Sequence, residues 1–197
     1  YVFSLPIYTL GLGLIRILIL LSLITCIAVY VLRGSLSISS LFGKFGFDRL
    51  IEKLGSPLVK LVKDKNADNK ARIHIAVLLF LFLVTIAANS YLSLFNLVTS
   101  QSGPVFGAAF TDANVMVPIL RVSVAAYGLA ALLALFYGIS GRVAPLFGAI
   151  SFTILIGLAQ VLIPAVFQKL VVAPNELTKE TPCIKYNIEA TRKAYGL

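Results

Sequence analysis

Four stretches of this sequence, residues 8–32, 73–98, 118–139 and 143–167, each run for more than about twenty residues with almost nothing that water would solvate. A bilayer's hydrocarbon core is about 30 Å thick, and about 20 apolar helical residues cross it. Backbone N–H and C=O groups find no partner in lipid, so each stretch must satisfy its own as an α-helix. The apolar runs are continuous rather than alternating, which excludes the strands of a β-barrel. Composition agrees: 59% of residues are hydrophobic and 13% charged, with a mean hydropathy of +0.96. A soluble domain carries about 25% charged residues. The fold expected is all-α, a polytopic membrane helix bundle with four transmembrane helices, an interfacial amphipathic helical loop and a short extracytoplasmic tail helix. A soluble enzyme, a disordered tail and a disulfide-stapled secreted module are excluded.

Charge sets the orientation. Residues 33–72 hold nine Lys/Arg against four acids, whereas residues 99–117 hold no basic residue and only Asp112. Basic loops stay on the cytoplasmic side. The 33–72 loop is therefore read as cytoplasmic, 99–117 as exterior, and the 168–197 segment as exterior again, with both chain ends extracytoplasmic. Residues 1–167 form the transmembrane region, and 168–197 begin an extracytoplasmic segment. Within the cytoplasmic loop, Phe47, Leu50, Ile51, Leu54, Leu58, Leu61 and Val62 fall at helical spacing opposite Lys and Arg. Ser56 and Pro57 sit as an N-cap and first helical residue. Two short helices follow, either lying on anionic lipid headgroups, at roughly 1 kcal/mol per Lys, or packed under the bundle. The net charge of +9 is mostly this loop, and no aromatic–basic interleaving accompanies it, so no nucleic-acid partner is expected.

Polar residues inside the spans are the candidate positions. Thr85, Asn89, Ser93 and Asn96 make one stripe, read as interhelical hydrogen bonding or as one wall of a permeation path. Ala126, Ala130, Ala134 and Gly138 repeat every four residues, a face that lets another backbone approach. Arg16 lies about 13 Å into the first span, where an unpaired cation costs at least about 2.5–3.5 kcal/mol. No Asp or Glu lies in any span, so its partner must be backbone carbonyls, headgroups or an acid elsewhere in a larger protein. Asp112 is in reach of Arg121 near the exterior interface. His74 reads as interfacial, and Gln160 and Pro164 suggest a hydrogen bond and a kink.

Catalytic chemistry has no foothold. One His excludes a multi-histidine metal centre or HExxH, the phosphate-loop and nucleophile-elbow patterns are missing, and Cys26 reads as a small apolar residue. No metal, cofactor or enzymatic activity is expected. In the 168–197 segment, Thr181-Pro182 reads as a helix start, Gly196 as its stop, and Ile184, Ile188, Thr191 and Tyr195 as a docking face. Glu189 and Lys193 form an i,i+4 pair. Thr111 or Asp112 caps the third span.

Several of these words are distinctive: Tyr1-Val-Phe-Ser-Leu-Pro6, Val105-Phe-Gly-Ala-Ala-Phe-Thr-Asp112, Pro174-Asn-Glu-Leu177, Asn187-Ile-Glu-Ala-Thr-Arg192 and Ala194-Tyr-Gly196. Through them the chain resembles the uncharacterised protein family 0182 of large bacterial membrane proteins, with Cys183 standing where that family usually has Tyr. The resemblance implies further membrane helices upstream and a large extracytoplasmic domain downstream, and carries over no catalytic residue. The absence of an initiator Met also fits an internal segment. The function expected is an anchor in the bacterial plasma membrane for that exterior domain. The rival is a transporter or channel built on the Asn89/Ser93 stripe and Arg16. A third reading places an enzyme's active site wholly in the exterior part.

Overall fold

The computed structural model describes residues 4–32, 65–100 and 107–196. Every regular element among them is helical. Helix α1 is Ser4–Leu32, α2 is Lys65–Asn96 with a 3-10 turn Leu97–Thr99, and α3 is Val117–Ser140 behind a π-turn Asp112–Met116. Helix α4 is Ala144–Phe167, followed by a π-turn Gln168–Val172, a 3-10 turn Ala173–Asn175 and helix α5, Glu176–Tyr195. Among the described residues, four helical runs are long and apolar enough to cross a membrane: Ser4–Tyr30, Asn69–Thr99, Asp112–Ser140 and Ala144–Tyr195.

These bounds refine the sequence reading. Helix α2 starts at Lys65, inside the stretch expected to be loop, because hydropathy does not register a polar helical turn. The two amphipathic helices expected from Lys44 to Lys63 fall outside the described residues. The last run does not stop at Phe167, nor does α5 start at Pro182. Pro182 lies within α5, which begins at Glu176, and as its seventh residue gives up the helical hydrogen bond to the Thr178 carbonyl.

Contacts divide the chain into two compact units. One comprises Tyr1–Leu12, Ala87–Tyr127 and Phe152–Leu197, the other Gly13–Ile86 and Gly128–Ser151. In the second unit the buried residues include a run of small ones, Ala71 and Ala76 on α2 and Ala130, Ala131 and Ala134 on α3, beside the larger Ile75, Leu83 and Tyr137. Small side chains let two helix backbones come close, and a Cβ on Gly138 would lie 2.7 Å from the Ala76 Cβ. The small-residue face read from the sequence is thus a contact face. Arg72 closes the end of this packing: its Nε donates to the Gly138 carbonyl at 3.2 Å. Gly141 then ends α3 in left-handed backbone, φ 68°, with its N–H on the Tyr137 carbonyl at 3.0 Å. A Cβ there would also strike the Arg72 guanidinium, at 2.5 Å.

In the first unit, buried Tyr127 and Ala126 on α3 and Val172 beyond α4 form the apolar interior. Large apolar side chains on its part of α1, among them Ile7 and Leu10, stay exposed.

Candidate functional site

The densest polar arrangement in the first unit is at the start of the third helical run. The first N–H groups of any helix have no intrahelical partner and carry partial positive charge. Here two carboxylates meet them. Asp112 Oδ2 accepts from the Ala109 N–H at 3.2 Å, the back-reaching half of a capping box. Both oxygens of Glu180, on α5, share the Phe110 N–H at 3.2 and 3.1 Å. Glu180 is 1% exposed and Asp112 8%. A carboxylate so deeply covered is tolerable because donors and a helix terminus face it.

Apolar and hydroxyl contacts fasten the same spot. Phe110 stacks on Phe167 at 6.4 Å between ring centroids, and Lys179 Nζ sits 5.3 Å over the Phe110 ring, a cation–π contact. Thr111 Oγ1 donates to Gln168 Oε1. Gly107 holds the loop before it in a positive-φ turn, φ 118°, with its N–H on the Ser100 carbonyl at 2.9 Å. Asp112 rather than Thr111 therefore serves as the side-chain cap, since the Thr111 hydroxyl is spent on Gln168.

Gln168 and Glu180 thus reach adjacent residues, 111 and 110. On a straight helix they would be about 18 Å apart along the axis. The chain must bend between them, and the irregular segment Gln168–Asn175 is where it does: π-turn, 3-10 turn with Pro174, then Asn175 outside helical backbone at φ −130°, ψ 39°. α5 returns across the 107–112 loop, laying Glu180, Cys183, Ile184 and Asn187 inward. This is not the face expected to dock; Ile188, Thr191 and Tyr195 stay exposed. Cys183 hydrogen-bonds Glu180, and burial together with that carboxylate pushes its thiol above the ordinary value. Gly196 ends the helix in left-handed backbone, φ 70°, as expected, and Glu189 pairs with Lys193 at 3.3 Å.

The other candidates are not gathered at one place. Arg121 is exposed on α3, while Asp112 serves the start of its own helix. Arg16 is half-buried, its Nε and Nη2 covered and without a hydrogen bond among the described residues, and Gln160 Nε2 is in the same condition. The hydroxyls of the α2 stripe turn back on their own helix, Thr85 to the Phe82 carbonyl at 2.7 Å and Ser93 to that of Asn89 at 2.9 Å; Asn96 is exposed. Sequence reasoning passed over Glu180 and Gln168, because a carboxylate in a charged amphipathic segment reads as solvated. His74, read as interfacial, is exposed, and its ring faces Tyr30 and Cys26 of α1, which the sequence did not connect.

Comparison with known proteins follows the same words. The model of the Uncharacterised protein family (UPF0182) matches residues 1–197. A UPF0182 protein of Paenarthrobacter aurescens is 41% identical over 128 residues, 64% of this chain and 13% of that protein. One from Trichodesmium erythraeum is 31% identical over 100% of this chain and 19% of its own length. One from Pelobacter propionicus is 34% identical over 100% of this chain and 20% of its own. The chain thus spans about a fifth or less of these curated relatives. No solved structure matches it.

Proposed function

The chain belongs to the uncharacterised protein family UPF0182, and from that premise we propose that it is the membrane-embedded anchor of a larger bacterial protein, fixing the direction in which an extracytoplasmic domain leaves the bilayer. Four long apolar helical runs support the embedding, and the basic 33–72 stretch supports an exterior position for the 107–112 loop and α5. The observation that carries the reading is the buried Glu180 carboxylate on the Phe110 N–H. It ties the segment that leaves the membrane to the start of a membrane helix, so α5 departs at a set angle instead of swinging on a linker.

The α2 stripe supports anchoring over permeation, since the hydroxyls of Thr85 and Ser93 are used by their own backbone and offer less to a solute. The test has two parts. A thiol label on a cysteine replacing Lys179 should react from outside intact cells; reaction only from the cytoplasmic side would overturn the orientation. The double change Asn89→Leu/Ser93→Leu should leave membrane insertion and cell phenotype intact; loss of a transported solute's flux with insertion preserved would establish the transporter instead.

A further inference from the structure

We propose that Cys26, Tyr30 and His74 form a binding site for a zinc-class divalent cation, a reading independent of the anchor role. All three belong to the second unit. Ser22, Cys26 and Tyr30 recur every four residues on α1, which puts them on one helix face. His74 on α2 stands opposite, its Nδ1 3.6 Å from Cys26 Sγ and 3.2 Å from Tyr30 Oη. With Thr25 and Val29 these residues line a shallow, widely open cleft of about 250 Å³.

As hydrogen bonding alone the arrangement is overcommitted. A neutral imidazole nitrogen has one lone pair, and both a thiol and a phenol converge on it. A metal ion uses all three groups at once. Zn–S of about 2.3 Å and Zn–N of about 2.0–2.1 Å at a tetrahedral angle separate sulfur from nitrogen by about 3.6 Å, and nitrogen from a phenol oxygen by about 3.3 Å. The observed edges match both. The Thr25 hydroxyl donates to the Leu21 and Ser22 carbonyls and keeps its lone pairs, so the fourth position falls to water or to the Ser22 or Thr25 hydroxyl. On binding, the Cys26 thiol releases its proton to water as the metal–sulfur bond forms, and affinity therefore rises with pH.

The experiment uses the full chain in detergent, stripped of metal, with Cys183→Ser so that Cys26 is the sole thiol. Titrated Co²⁺ should produce one equivalent's thiolate-to-cobalt absorption and the intense visible bands of tetrahedral cobalt, both removed by Zn²⁺. Cys26→Ser should abolish the thiolate band, and His74→Gln should lower affinity at least about 10-fold at unchanged helical circular dichroism. If His74→Gln disturbs folding, His74→Cys should keep the tetrahedral bands, because it supplies another ligand. Absence of a thiolate band overturns the proposal. So does equal affinity in His74→Gln, which would mark a lone thiol scavenging metal, or loss of the bands in a folded His74→Cys.

Discussion

Glu180→Ala is the sharpest perturbation of the junction between α5 and the third helical run. It deletes the acceptor of the Phe110 N–H and leaves that donor in a part-buried place. A hydrogen bond to a charged group contributes about 1.5–3 kcal/mol net, and a carboxylate at a helix N-terminus about 0.3–1 kcal/mol more. Together these amount to about 2–4 kcal/mol of local docking energy. At 1.4 kcal/mol per factor of ten, the Phe110 amide should exchange with deuterium roughly 30- to 700-fold faster. Glu180→Gln keeps an oxygen acceptor and loses only the charge, so about 1 kcal/mol and a roughly 5-fold change are expected. The assay is hydrogen–deuterium exchange with mass spectrometry on the detergent-solubilised chain, following peptides over 107–116 and 176–195. Both should loosen together while α2 peptides stay as they were. Unchanged protection at Phe110 in Glu180→Ala would refute the argument, and equal effects from Ala and Gln would remove the charge–dipole part of it.

Gly138→Ala should destabilise the chain by about 1–3 kcal/mol in a detergent unfolding series, because its new methyl would meet the Ala76 Cβ at 2.7 Å; an unchanged midpoint would mean the two helices are not so close. Cys183 is held protonated by burial and Glu180, so this thiol stabilises the docked α5 fully below the ordinary thiol pKa and loses that contribution as pH rises through its higher folded value. Maleimide labelling should accordingly show an alkaline-shifted pH midpoint, moving back toward the ordinary value in Glu180→Gln. Arg16→Leu should leave this chain as stable or more so by thermal unfolding in detergent, since Nε and Nη2 have no hydrogen bond among the described residues and a bare cation in a helical core is costly.

Hydropathy alone located the four long helices, because length and apolarity are summed over some twenty residues and single exceptions average away. Their ends were less readable. Lys65–Lys70 and Glu176–Thr181 are polar yet helical, and a polar turn costs little once a longer helix has nucleated it. Gly141 and Gly196 fared differently: each ends a helix in left-handed backbone, a local requirement that a glycine's side chain announces by its absence. The Ala126–Gly138 face was also readable, since its period of four residues is a property of one helix.

What could not be read was every contact whose meaning depends on two distant segments. Glu180 carries the same letter as Glu189, and both sit on α5. One is buried on the Phe110 amide and the other pairs with Lys193 in solvent. The difference arises from the bend at Gln168–Asn175, which swings Glu180 onto the open end of another helix. That bend left one local trace, Pro174 followed by Asn175, a pair that disfavours uninterrupted helix. An unsatisfied helix start beyond an apolar run is equally local, and residues 107–110 offer no side-chain cap before Thr111. A helix end lacking its own cap, together with a break that returns a carboxylate-bearing helix toward it, defines what to seek: the acid is placed by the end that needs it.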